Sequence, residues 1–212
     1  MAEGVPPKIV IATTNSGKFT EMVALLDGID TEFVPLEGDV EPAPEEGETY
    51  EEVALGKARY YAEKTGLPVI ADDSGLEILA LGGWPGLNSA RPMGDNVRLS
   101  DAQLIQAVLE RMARYVHDAQ RRARFVCAVA YADPKSGLQL VQRGSLYGVI
   151  NKAPRGKHGF GYDPIFYVPD VWKTLAQMSP EEKNRFSHRR NAIVYLKPHL
   201  IHEFVKEAGY AV

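Results

Sequence analysis

The sequence predicts an α/β protein built on a mixed β-sheet. Three observations carry this. Short apolar runs rich in β-branched residues alternate with segments of helical spacing. A pair of long alternating runs surrounds the turn Lys135-Ser136-Gly137, which adds an antiparallel hairpin to the parallel strands that the alternation implies. Finally, 212 residues, 45% apolar and 25% charged, suit one continuous globular domain over residues 1–212. A chain of this size buries roughly 70% of its unfolded surface, so it folds without disulfides or structural metals.

The elements follow in order. Lys8 to Thr13 (KIVIAT) reads as a buried strand, and Asn15, Ser16 and Gly17 supply turn and cap chemistry. Phe19, Met22, Val23 and Leu26 then recur at helical spacing to about Asp27. Thr31 to Leu36 is a second strand. Thr49 and Glu52 form a capping box that opens a helix to about Lys64. Leu67 to Ala71 is a third strand that is expected to end at Asp72-Asp73-Ser74-Gly75, with Gly75 marking a sharp turn. A Gly/Pro loop spans Gly82 to Asn96, and Ser100 with Gln103 caps a helix to about Tyr115. Ala123 to Tyr131 and Leu138 to Ile150 form the hairpin, and Pro164 to Val168 is a further apolar stretch. Ser179-Pro180 starts a short helix. Ile193, Leu196, Leu200 and Phe204 mark the last one.

Composition excludes several classes. No apolar run approaches the ~18 residues of a membrane span, and the start MAEGVPPKIVIATTN has no basic, cleavable leader. One cysteine forms no internal disulfide, so a cytoplasmic protein is expected. A net charge of -4 gives no argument for nucleic acid. Charge is unevenly placed, however. Glu37 to Glu52 holds eight carboxylates and no Lys or Arg, whereas Pro134 to Tyr162 has no carboxylate but carries Lys135, Arg143, Lys152, Arg155 and Lys157. Such segregation suits either solvated loops or a site where a metal and a polyanion meet.

Several motifs can carry chemistry. Thr13, Thr14, Asn15, Ser16, Gly17 and Lys18 lie between a strand and a helix N-terminus, where free N–H groups and the helix dipole favour phosphate. Asp72-Asp73-Ser74-Gly75 places adjacent carboxylates at the end of a strand, and hard oxygens of this kind suit Mg2+ shared with substrate phosphates. Glu45 or Glu46 of the acidic loop can join Asp73 around the metal. Lys57, on the helix opened by Thr49, is either a cation turned to the site or a stem covering apolar surface. In Gly159-Phe160-Gly161-Tyr162-Asp163, Phe160 can stack on a base or simply pack in the core with Tyr162. Arg189 can form a two-pronged hydrogen bond to a keto group, Lys183 can reach a phosphate, and His188 can serve the site or cap the final helix. Cys127, in the apolar run FVCAVAY, reads as core.

Taken together, IATTNSGKFTE, GETYEEVALGKAR, VIADDSGLEILALGGWPGLNSAR, GFGYDPIF and EEKNRFSHR resemble, in order, the Ham1/RdgB-type inosine triphosphate pyrophosphatase family, also called non-standard purine nucleoside triphosphate pyrophosphatases. The resemblance runs from about Ile9 to Arg189. It implies a long twisted mixed sheet with flanking helices in two lobes around a central nucleotide cleft. It also implies a Mg2+-dependent homodimer that hydrolyses ITP, dITP and XTP between the α and β phosphorus atoms to a monophosphate and pyrophosphate. Thr13 to Lys18 would bind the triphosphate. Asp73 would accept a proton and bind metal, with Ser74 contacting substrate. Phe160, Gly161, Tyr162, Asp163, Lys183, His188 and Arg189 would complete the nucleotide site. Two positions depart from the family pattern. Thr14 stands where Gly is common, and Pro44 stands where a metal-binding Glu is common, so Glu45 or a neighbour would serve.

Other readings predict different behaviour. A Maf-like pyrophosphatase would prefer other nucleotides. A nucleic-acid-binding protein using Arg111, Arg114, Arg121, Arg122 and Arg124 would show salt-dependent affinity for duplex DNA. A non-catalytic nucleotide sensor would bind ITP without releasing pyrophosphate.

Overall fold

The structure is a computed structural model that describes residues 7–38, 40–94 and 98–207, the last four by backbone alone. The first six residues, part of the Gly82 to Asn96 loop and the Phe204 side chain lie outside that description.

Seven strands form one sheet in the order β2-β1-β3-β4-β5-β6-β7. They are β1 (Lys8–Ile11), β2 (Glu32–Pro35), β3 (Val69–Ile78), β4 (Arg122–Ala132), β5 (Gln139–Ile150), β6 (Phe166–Val168) and β7 (Lys173–Thr174). The sheet is mixed, as expected. β1 pairs in parallel with β2 and β3, while β5, β6 and β7 pair antiparallel. The helices are α1 (Ser16–Leu26), α2 (Tyr50–Thr65), α3 (Asp101–Arg111), α4 (Pro180–Lys183) and α5 (His188–Glu207). The capping boxes read from Thr49/Glu52 and Ser100/Gln103 are both formed, each satisfying N–H groups that a helix start leaves without partners.

The backbone groups into two compact units. Among the described residues, the first comprises 7–38, 40–73, 128–144 and 189–207, and the second comprises 74–94, 98–127 and 145–188. In the first, Ile9, Val10 and Ile11 of β1, Met22 and Leu26 of α1, Val69 and Ile70 of β3, and Ile193 and Leu196 of α5 are buried. In the second, the core joins Leu76 and Ile78 to Leu104, Val108 and Met112 of α3 and to Phe125, Ile150, Ile165 and Phe166.

Two expectations and one alternative reading need correction. First, β3 does not stop before Asp72. It runs through Asp72, Asp73, Ser74 and Gly75 to Ile78, so these residues sit inside a strand and Gly75 makes no turn. Charge normally interrupts a buried strand, but here each carboxylate has a basic partner. Second, α3 ends at Arg111 rather than Tyr115. The buried Arg121 guanidinium donates to the carbonyls of Met112 and Tyr115, both at 2.8 Å, and of Ile150 at 2.6 Å and Asn151 at 3.1 Å. A side chain thus takes the carbonyls at which the helix stops. Third, Arg121 is consequently no surface contact for nucleic acid, and Arg124 is paired with Glu77 at 2.6 Å. The two-residue β7 was too short for any periodicity to announce.

Candidate active site

In the first unit, β1 leads into α1. Asn15 is the N-cap, with its side-chain oxygen accepting from the Lys18 N–H at 3.0 Å, and the Thr13 hydroxyl accepts from the Asn15 N–H at 3.2 Å. Two of the expected phosphate contacts therefore also shape the turn. Thr14 and Ser16 are exposed. Helix geometry leaves the N–H groups of Ser16 and Gly17 without an intrahelical acceptor, which suits an anion. Lys18 occupies the first turn of α1 and places Nζ 2.9 Å from Asp72 Oδ2.

Neighbouring residues of a strand point to opposite faces, and Asp72 and Asp73 accordingly have different partners. Asp72 is buried, with Lys18 and Arg189 Nη2 (3.2 Å) on the same oxygen. Burial alone would raise its pKa, but Lys18 and Arg189 outweigh burial and hold the carboxyl well below the usual range. Asp73 and Lys57 are each 14% exposed, with Lys57 Nζ 2.8 Å from Asp73 Oδ1. For Asp73 the balance falls the other way. Burial raises its pKa by more than the Lys57 charge lowers it. Burial also opposes the charge on Lys57, yet Asp73 and the other nearby carboxylates keep its pKa above the ordinary lysine value.

The acidic loop reaches the same place. The Ala43 N–H donates to the Tyr61 hydroxyl of α2 at 3.0 Å, which anchors the loop. Gly47, at φ 148°, lies against the first turn of α2, where a Cβ would come within 2.9 Å of the Glu52 Cβ. Between these anchors Glu45 Oε1 lies 3.5 Å from Lys57 Nζ. Carboxylates from two separate segments therefore converge on one cationic point. No group of three or more His, Cys, Asp or Glu residues that could hold a metal forms among the described residues. A pair of hard carboxylates fits Mg2+, which keeps several waters and completes its shell with substrate phosphate.

Arg189 begins α5 and is fully buried. Its terminal nitrogens face Glu21 of α1 and Asp72. The expected keto contact of this guanidinium would therefore share it with two carboxylates. Asp72 was expected only as part of the acidic pair, and Glu21 was not among the expected site residues. The one available signal for Glu21 was a carboxylate beside Met22 on the apolar stripe of α1.

The second unit assembles the remaining expected residues. Asp163 Oδ2 accepts from Lys183 Nζ at 2.6 Å and from the Phe160 N–H at 3.0 Å. Both charged side chains are buried, and the ammonium also lies 4.5 Å from the centre of the half-buried Phe160 ring. Gly159 has φ 75°, and a Cβ there would come within 2.0 Å of Asp163 Oδ2, so only glycine admits this loop. The Gly161 N–H donates to Asp101 at 2.8 Å, and the Tyr162 hydroxyl donates to the Ser89 carbonyl at 2.7 Å. Tyr162 is buried, and burial pushes its phenol pKa up. His188 is buried too, with its ring stacked on Phe125 at 4.7 Å. Ser74 is half-buried on β3.

Comparison with known proteins bears directly on this arrangement. The model of the Ham1 family matches residues 9–199. A dITP/XTP pyrophosphatase of Coxiella burnetii is 44% identical over 93% of this chain and 98% of its own. Those of Thermus thermophilus and Escherichia coli K12 are 47% identical (88% of each chain) and 44% identical (89% of this chain, 95% of the other). Among solved structures, a HAM1 protein from Coxiella burnetii superposes with a TM-score of 0.78 at 43% identity, covering 92% of this chain and 99% of the other. The Staphylococcus aureus Ham1 protein gives 0.79 at 41% identity with the same coverage. With matching running almost end to end in both sequence and backbone, the chain belongs to the Ham1 family.

Proposed function

We propose that the protein hydrolyses the non-standard purine nucleotides ITP, dITP and XTP between the α and β phosphorus atoms, releasing the monophosphate and pyrophosphate. The observation that carries this reading is the Asp73–Lys57–Glu45 cluster in the unit that also presents the α1 N-terminus with Lys18. A general base, a two-carboxylate metal site and a phosphate-binding helix start are the parts that phosphoanhydride hydrolysis requires. The relatives' names supply the substrate class.

Each group then has a task. Lys18 and the N–H groups of Ser16 and Gly17 offset the charge of the triphosphate. Asp73 accepts the proton of the attacking water. Asp73 and Glu45 hold Mg2+, which when bound polarises the phosphate and steadies the departing pyrophosphate. Selecting these purines requires a face for the base to stack on, which the Phe160 ring offers, and a donor to a 6-keto oxygen. A 6-amino group would set donor against donor, a mismatch that such sites reject by roughly 10⁴-fold. The working protein is a cytoplasmic homodimer. The family resemblance supports the dimer. The single cysteine supports the reducing compartment.

Pyrophosphate release from a nucleotide panel, with and without Mg2+, tests this. ITP, dITP and XTP are expected to turn over far faster than ATP, dTTP or UTP, and only with metal. Orthophosphate as the inorganic product, or faster turnover of dTTP or UTP, would overturn it.

A further inference from the structure

The geometry of the first unit assigns Lys57 a second task. We propose that its ammonium is the resident counter-cation of the metal-binding carboxylates, so that a divalent ion entering the site must displace it. Nζ lies 2.8 Å from Asp73 Oδ1 and 3.5 Å from Glu45 Oε1, and it also donates to the Asp72 carbonyl at 3.3 Å. It therefore occupies the point on which the two metal-holding carboxylates converge, and all three of its donors face oxygen. At 14% exposure this ammonium has given up most of its water, so leaving those oxygens requires new anionic partners.

The proposal rests on the Mg2+ reading above and extends it. Asp73 and Glu45, left as bare carboxylates, would form an open, strongly attractive site for a free ion. With Lys57 in place one of the pair's two charges is already offset, and an incoming ion meets both a filled position and a like charge. A triphosphate changes this, because its oxygens give the ammonium another acceptor. Metal and nucleotide then enter together, while metal alone binds weakly. Lys57 thereby keeps the site in its pre-organised form in the absence of substrate, with no unpaired buried carboxylate.

The test is metal affinity of the full chain without nucleotide, using Mn2+ followed by paramagnetic resonance and Mg2+ followed by calorimetry at pH 8. Removing a cation from within a few ångströms of the site in Lys57→Met is expected to tighten binding by about tenfold or more. Lys57→Arg, which keeps the charge, is expected to bind as weakly as the unaltered protein. Adding Asp73→Asn to Lys57→Met is expected to abolish the gain, which places it at this site, and melting curves check that each variant is folded. Equal affinities for Lys57→Met and the unaltered protein, with binding still lost in Asp73→Asn, would overturn the lysine proposal and leave the metal assignment standing. The lysine proposal also fails, alone, if Lys57→Arg tightens binding as much as Lys57→Met does. If neither the unaltered protein nor Lys57→Met binds metal at millimolar concentration, both fall.

Discussion

Asp72 and Asp73 are the same chemical group one residue apart, yet their surroundings separate them. Asp72 has two cations on one oxygen and is held ionised, whereas Asp73 has one and sits in a less polar balance. Asp73→Asn keeps the shape but not the basicity, and is expected to lower kcat for ITP by about 10²–10⁴-fold while the melting temperature changes little. Asp72→Asn should act on the fold instead. It leaves Lys18 and the buried Arg189 without their carboxylate, at a cost of about 3–5 kcal/mol near pH 7. The pKa of Asp72 is depressed in the folded state, so the stabilisation is complete above the usual carboxylate value of about 3.8 and is lost as pH falls toward the depressed one. The deficit of the variant should therefore be full at pH 7 and smaller near pH 3, as read from urea midpoints. Lys18, Lys57 and Asp73 were legible because each sits in a recognisable local motif. The duty of Asp72 was not, because its partners lie 54 and 117 residues away along the chain. Nor was the enclosure of Arg189, whose other carboxylate is 168 residues distant.

Among the elements, helix starts were the most readable, since a capping box is written within four residues and both expected boxes formed. Strand ends were less so. The expected strand Leu67 to Ala71 lost seven residues at its far end, because two acids and a serine look like a stop until their partners are known. The break in α3 depends on Arg121, which follows the helix and is matched to carbonyls of β5. Close strand contacts are equally silent in sequence. Gly148 of β5 has its α-carbon against β6, and a methyl there would lie 2.5 Å from the Tyr167 carbonyl oxygen and 2.6 Å from the Phe166 ring. Gly148→Ala should therefore force β6 outward and destabilise the protein by about 1–3 kcal/mol in chemical denaturation.

At the level of the whole molecule, alternation of strands and helices was enough to give a mixed α/β sheet. The family resemblance implied two lobes, but the residues alone did not show which stretches form each unit, because each is assembled from separated stretches of chain. Light scattering is expected to return twice the 23.4 kDa chain mass. The mid-strand position of the two acids carries a wider consequence. β3 is aligned beside β1 by Val10↔Val69 and Ile11↔Ile70, and that alignment decides which acid meets Lys18 and which meets Lys57. A slip of one residue would move one acid into the other's place and leave Ala71 or Ser74 where the second carboxylate belongs. The alignment that keeps both ion pairs is therefore also the one that keeps the reactive carboxylate beside Lys57.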